Sequence, residues 1–173
     1  NPRGAEWRRD CAARVRAHLP PDQQAELDAE LAYQAGVDLK ALPQGVIHAD
    51  MFRDNVLWDG DFVGGVIDFY FAGHDALLFD VAVTVNDWCI NRSTGELLPD
   101  HLNAMVTAYD AVVPLTDNDR AAWGMMLRAA ALRFWISRLY DFYRTREAAM
   151  LTPKDPTHFE RILKSRRAQF KSI

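Results

Sequence analysis

What most constrains this chain is a short island of β-rich sequence inside an otherwise helical pattern. Between residues 45 and 69 it carries the runs GVIH, NVLW and FVGGVIDF, the last two separated by Asp59, Gly60 and Asp61. Short polar residues around a glycine, between two such runs, read as a hairpin turn. On both sides the apolar residues recur at helical spacing. Residues 5–18 form an amphipathic helix that Pro20 and Pro21 end, and a second helix runs over 22–35 until Gly36 stops it, with Leu27, Leu31 and Gln34 near one face. Further helices are expected near 75–90, 97–112, 117–147 and 156–171, the last after a turn over 151–156.

The expected fold is mainly α with a small β-hairpin element, an α+β unit that occupies residues 1–173 as one domain. The stretch 120–146 is apolar on two sides, with Trp123, Leu127, Ala130 and Phe134 on one stripe and Leu132, Ile136, Leu139 and Tyr143 on another. A helix apolar on most faces belongs in the middle of a bundle, so Trp123, Phe134 and Trp135 are expected in the core. Apolar residues at 49% and charged residues at 25% exclude a disordered or low-complexity chain. The net charge of −4 offers duplex nucleic acid no electrostatic attraction. Cys11 and Cys89 form no metal or disulfide pattern and are expected as reduced thiols in a cytoplasmic protein. Arg128 and Arg133 interrupt the most apolar stretch, so no membrane span is expected.

Chemistry collects in the island. From His48 to Asp80 there are seven aspartates, no glutamate and a single basic side chain, Arg53. Asp59 and Asp61 are explained by the turn. Asp50, Asn55 and Asp68 sit at the ends of β runs, where a rigid scaffold holds polar groups at a cleft edge. The octet HADMFRDN matches the spacing HxDxxxxN of a phosphoryl-transfer catalytic loop, in which the Asp accepts a substrate hydroxyl proton and the Asn holds magnesium. Asp68, in IDF after the hairpin, stands where a second metal-binding Asp belongs. ATP is strongly anionic, and a cleft lined with aspartates admits it only with a divalent cation between them. His48, a lone histidine at a strand end, is expected to brace the loop.

On HADMFRDNVL, IDFYFAG and FDVAVTVNDWC the sequence resembles the aminoglycoside phosphotransferase and choline kinase superfamily, and within it the homoserine kinases of the kinase-like type. The first two stretches mark the superfamily; Arg53 and VNDWC at 85–89 point to the narrower group. The resemblance spans nearly the whole chain as that fold's C-terminal lobe. It implies Asp50 as catalytic base, Asn55 and Asp68 as Mg2+ ligands, Asp80, at the start of a helix, as the superfamily's structural aspartate, and ATP and homoserine as substrates. Homoserine carries an ammonium and a carboxylate; Asp87 is the candidate for the first, and Arg53, Arg133 or Arg138 for the second, with Arg53 preferred because it lies in the loop. The superfamily also contains kinases of choline, ethanolamine, aminoglycosides and methylthio sugars. A choline site would need an aromatic cage, for which Trp88 and Tyr70 are candidates.

A kinase of this kind also needs a phosphate-covering loop and a strand lysine, and neither precedes the motif: Gly64 and Gly65 follow it, and Lys40 lies in a turn before Pro43. The chain starts with Asn1 rather than Met, so it is expected to begin inside a longer protein, with the N-terminal nucleotide lobe outside these 173 residues and little kinase activity in the isolated chain. Two other classes remain open. One is a helical metal phosphohydrolase using His48, the His74 and Asp75 pair and another Asp; the other is a non-catalytic docking lobe. The basic residues of the last helix, Lys164, Arg166, Arg167 and Lys171, read as a solvated face.

Overall fold

The computed structural model describes residues 1–36, 39–143 and 154–170. Two helices open the chain, α1 (Ala5–Arg16) and α2 (Pro21–Ala35), with Pro21 in the first turn where its missing N–H is harmless. The β island follows as β1 (Gln44–Ile47), β2 (Val56–Asp59), β3 (Phe62–Val66) and β4 (Gly73–Ala76). Then come α3 (Leu77–Trp88), α4 (Pro99–Asp110), α5 (Asp117–Tyr143) and α6 (Thr157–Gln169).

The β2–β3 hairpin forms as the sequence requires, with Gly60 at φ +59° in its turn and a register shift between Leu57 and Trp58. β4 was not expected; residues from 75 onward read as helix. Gly73–Ala76 instead pairs antiparallel with β1, His74 opposite Val46 and Asp75 opposite Gly45. GHDA has no intrinsic strand preference, and only the unpaired edge of β1 makes it one. Helix α3 starts two residues later than expected, at Leu77, whose N–H donates to the carbonyl of Pro43.

Helix α5 is the axis of the molecule. It is buried without interruption from Met125 to Ile136 and packs against α1, α3 and α6, as its all-round apolar pattern demands. Phe134 and Trp135 lie in the core, Trp123 is half-buried, and Tyr143, expected on an inner stripe, is 36% exposed. The expected continuation of α5 to residue 147, the turn over 151–153 and Lys171 fall outside the described residues. Among the described residues no helix is long and apolar enough to cross a membrane.

The charges in this core were not anticipated. Glu30, 0% exposed, receives Nε and Nη2 of Arg128 at 3.0 and 2.6 Å, and that guanidinium lies over the Tyr33 ring at 3.6 Å. Arg128 also donates to the Phe170 carbonyl, so the pair ties α2 and α5 to the end of α6. Nor is the basic face of α6 uniformly solvated: Arg166 is fully buried, donating to Asn86 Oδ1 and to the Gly95 carbonyl, while Lys164 and Arg167 pair with Glu26. Helical spacing placed all four cations on one helix but carried no information about which neighbour covers each.

Glu30→Ala strands the Arg128 charge in the core and is expected to lower stability by about 3–5 kcal/mol, whereas the double change Glu30→Met with Arg128→Met recovers most of the loss. Urea denaturation followed by circular dichroism checks both; equal instability of the single and double variants would contradict the pairing.

Candidate active site

The loop between β1 and β2 is held from behind by α3. Asp80, in the first turn of α3, accepts the backbone N–H groups of His48 and Ala49 on its two carboxylate oxygens, at 2.7 and 2.6 Å. Between them these bonds hold Ala49 at φ +63°, a left-handed conformation that disfavours a side chain by roughly 1–2 kcal/mol. The turn aims residue 50 away from the strand. His48 is buried; its Nε2 hydrogen-bonds the Ile67 carbonyl at 2.9 Å, its Nδ1 receives the Asp50 N–H at 3.3 Å, and its ring rests against Phe69. Bonding in this way, Nε2 carries the proton and Nδ1 accepts, so the imidazole works as a brace between the loop and the segment after the hairpin.

That brace brings the distant aspartate in. Ile67 donates its N–H to the Asn55 carbonyl at 3.0 Å, and Asp68 follows at φ +66°, ψ +59° with its side chain exposed. Asn55 Nδ2 donates to the Asp50 carbonyl at 2.7 Å, which leaves its Oδ1 as a free oxygen donor. Asn55 is thereby bonded to Asp50 and, through the Ile67 N–H, to the residue before Asp68, and the Asp68 charge acts on the Asp50 carboxyl, although the three are separated by up to 18 positions in the chain. An amide oxygen and an exposed carboxylate are donor types that suit magnesium, a hard cation that completes its shell with water and phosphate oxygens.

Asp50 is 13% exposed, and its carboxyl is held above the ordinary range, chiefly by burial and further by the nearby charge of Asp68. Arg133 opposes this. Its Nη1 is 3.8 Å from Asp50 Oδ1, and its guanidinium, 2% exposed, lies 3.7 Å from the Phe134 ring centroid and 4.9 Å from that of Phe71. Burial also lowers Arg133 itself to about 10. Arg133 thus faces Asp50 from inside the core and does not line the cavity beside the loop. The interruption of an apolar run by Arg133 was the available signal for such a buried partner.

The cavity, of about 260 Å³, lies at the small end of ligand pockets. It begins at Phe52 and Arg53, directly after Asp50 and Met51, and is closed by Asp87, Arg138, His158 and Phe159. Arg53, Asp87 and Arg138, which the sequence nominated separately, are all on its wall. Arg53 and Asp87 are also tied together: the Arg53 N–H donates to Asp87 Oδ2 at 2.9 Å, Nη2 donates to the Asp87 carbonyl, and Nε lies 3.6 Å from Oδ2. Trp88 and Tyr70 build no cage here. The Trp88 indole donates to the Met51 carbonyl and packs on Trp58, and Tyr70 is 90% exposed. His158, also on the wall, was not signalled by the sequence, because nothing in the spacing relates α6 to the loop after β1.

The phosphohydrolase alternative fails on the same geometry. Asp75 is engaged by Asn1 Nδ2 and the Ala76 N–H, both at 2.8 Å, in a strand rather than a helix, and His48 is spent on the loop. Among the described residues no three His, Cys, Asp or Glu side chains are grouped to hold a metal ion.

A helical lobe with this loop, hairpin and trailing aspartate is the C-terminal lobe of a kinase-like phosphotransferase. Comparison with known proteins agrees: the phosphotransferase enzyme family matches residues 1–145, and the chain belongs to that family. It is 53% identical over 164 residues to the homoserine kinase of Methylobacillus flagellatus, covering 95% of this chain and 51% of that protein. Against the homoserine kinases of Janthinobacterium sp. and Cupriavidus necator it is 52% and 51% identical, covering 96% of this chain and 53% of each. The chain spans about half the length of the curated relatives it matches.

Asp80→Asn removes a charge-assisted acceptor from two N–H groups and is expected to reduce stability by about 1.5–3 kcal/mol. Ala49→Gly, which relieves the left-handed strain, should cost nothing measurable. Thermal unfolding of the two variants checks this, and a harmless Asp80→Asn would remove Asp80 from its role.

Proposed function

We propose that the complete protein transfers the γ-phosphoryl group of ATP to the side-chain hydroxyl of L-homoserine, giving O-phospho-L-homoserine and ADP, a step of threonine synthesis, in the cytoplasm. The hydrogen-bonded link from Asp50 through Asn55 to Ile67, which leads the chain into Asp68, supports the reaction type. The relatives named homoserine kinase, together with a small cavity bearing both signs of charge beside Asp50, support the acceptor.

In this reading Asn55 Oδ1 and the Asp68 carboxylate would hold Mg2+, which would supply the positive charge that offsets the nucleotide phosphates. Asp50 orients the acceptor hydroxyl and takes its proton late, as the oxygen bonds to phosphorus and the bond to ADP breaks. Partial burial suits that role, because a carboxylate with a raised pKa is the better proton acceptor at the end of transfer. Arg133 keeps Asp50 anionic until then. In the cavity, Asp87, steered by Arg53, meets the ammonium of the amino acid, and Arg138 its carboxylate.

The nucleotide lobe, with its phosphate-covering loop and lysine, belongs in this reading to the half of the relatives that the chain does not match. The isolated 173-residue chain should therefore show little ATP- and homoserine-dependent ADP release compared with the complete protein in the same coupled assay. Robust turnover by the isolated chain would contradict the division.

Asp50→Asn in the complete protein is expected to lower kcat by about 10²–10⁴-fold, with KM for ATP little changed, since Asn keeps the shape but cannot accept the proton. Steady-state kinetics with homoserine test the whole reading: undiminished kcat removes Asp50 as base.

A further inference from the structure

The cavity beside the catalytic loop contains, around Arg138, groups to which the reaction as described gives no part. Its carboxylates are mostly committed. Asp87 takes Arg53, and Asp155 accepts the Thr157 N–H at 2.9 Å and hydroxyl at 2.6 Å, while Asp54 faces solvent. Of its cations, Arg53 is the partner of Asp87, and Lys154 and Arg92 are exposed. Among the described residues no ion pair joins Arg92 or Arg138 to a carboxylate, and the buried Nε of Arg138 has no hydrogen-bond partner. The face of Phe159, 5.0 Å away, holds the Arg138 guanidinium without satisfying its donors.

His158 lines the same cavity. Its ring stands edge-on to Phe159 at 5.1 Å, half-buried, with its pKa below the ordinary histidine value through burial first and then through Arg138, Arg161 and Arg92. A neutral imidazole offers one N–H donor without adding to the repulsion between the guanidinium groups. His158 and Phe159 also lie in the first turn of α6, where backbone N–H groups lack intrahelical acceptors and negative charge is favoured. Two unpaired guanidinium groups and a neutral donor around one small cavity make a receptor for a planar anion, which a carboxylate fills bidentately.

We propose that Arg138, Arg92 and His158 form the receptor for the carboxylate of an α-amino-acid acceptor, with His158 as the specificity-determining residue that favours such acceptors over amino alcohols without one. This rests on the reading of the site as one that phosphorylates homoserine. Arg53, by contrast, acts through Asp87.

The test compares L-homoserine with 3-aminopropan-1-ol, the same amino alcohol without its carboxylate, in steady-state assays of the complete enzyme. Wild type, Arg92→Gln, Arg138→Met, His158→Leu and His158→Gln are measured, each with its melting temperature. The expected result is a fall of about ten- to a hundredfold in kcat/KM for homoserine in the first three variants, carried mainly by KM, with a much smaller change for 3-aminopropan-1-ol. His158→Gln, which keeps an N–H donor, should recover much of the preference. Equal losses on both acceptors, or an unchanged preference in Arg92→Gln and His158→Leu, overturn the receptor while leaving the kinase reading intact. Wild-type enzyme that phosphorylates 3-aminopropan-1-ol as efficiently as homoserine overturns the receptor alone, whereas a complete enzyme that does not phosphorylate homoserine overturns the reading on which it rests.

Discussion

Two backbone N–H groups share one carboxylate, and the rest of the site follows from that arrangement. Asp80 reaches from α3 to His48 and Ala49, and the two short bonds outweigh the strain of a left-handed alanine, since a hydrogen bond to a charged group contributes about 1.5–3 kcal/mol against about 1–2 kcal/mol of conformational cost. Because α3 packs along α5, the reactive loop is referenced to the most buried helix of the molecule rather than to the exposed hairpin. Precision at Asp50 is thereby inherited from the core.

His48 extends the same logic to the far side of the hairpin. A single imidazole, with one nitrogen donating and the other accepting, couples the loop to Ile67, and Ile67 in turn carries Asp68 to Asn55. The hairpin itself, whose outer residues are exposed, contributes little burial; it serves as a spacer that returns the chain at the right distance. Charge is arranged in two zones. Asp50 and Arg133 oppose each other at the core boundary, where low dielectric strengthens their mutual effect, and the exposed Asp68 lies where water and phosphate can reach it.

Much of this was legible along the chain. The helices, the hairpin with its Gly60 turn, the central helix and the spacing from His48 to Asn55 depend on local periodicity and turn chemistry, which a sequence states directly. β4 was illegible because GHDA becomes a strand only through pairing with β1. Arg166 was misjudged, and Glu30 passed over, for a related reason: a charged residue on a helix reads as solvated until the partner that buries it is known, and their partners lie 80 and 98 positions away. The apolar run broken by Arg128 and Arg133 was the one local hint of buried charge.

The sequence by itself determined the family, since an aspartate, an amide and a second aspartate at those intervals around a hairpin match the spacing of its motif. Tertiary structure decided the allocation of charge: that Arg53 is committed to Asp87, that Arg133 faces Asp50 from within, and that Arg138 and His158 line the cavity. Spacing can specify which groups one loop presents, because the chain between them is short and stiff. Which of several arginines meets which carboxylate depends on how helices pack, and packing is set by contacts between residues far apart along the chain.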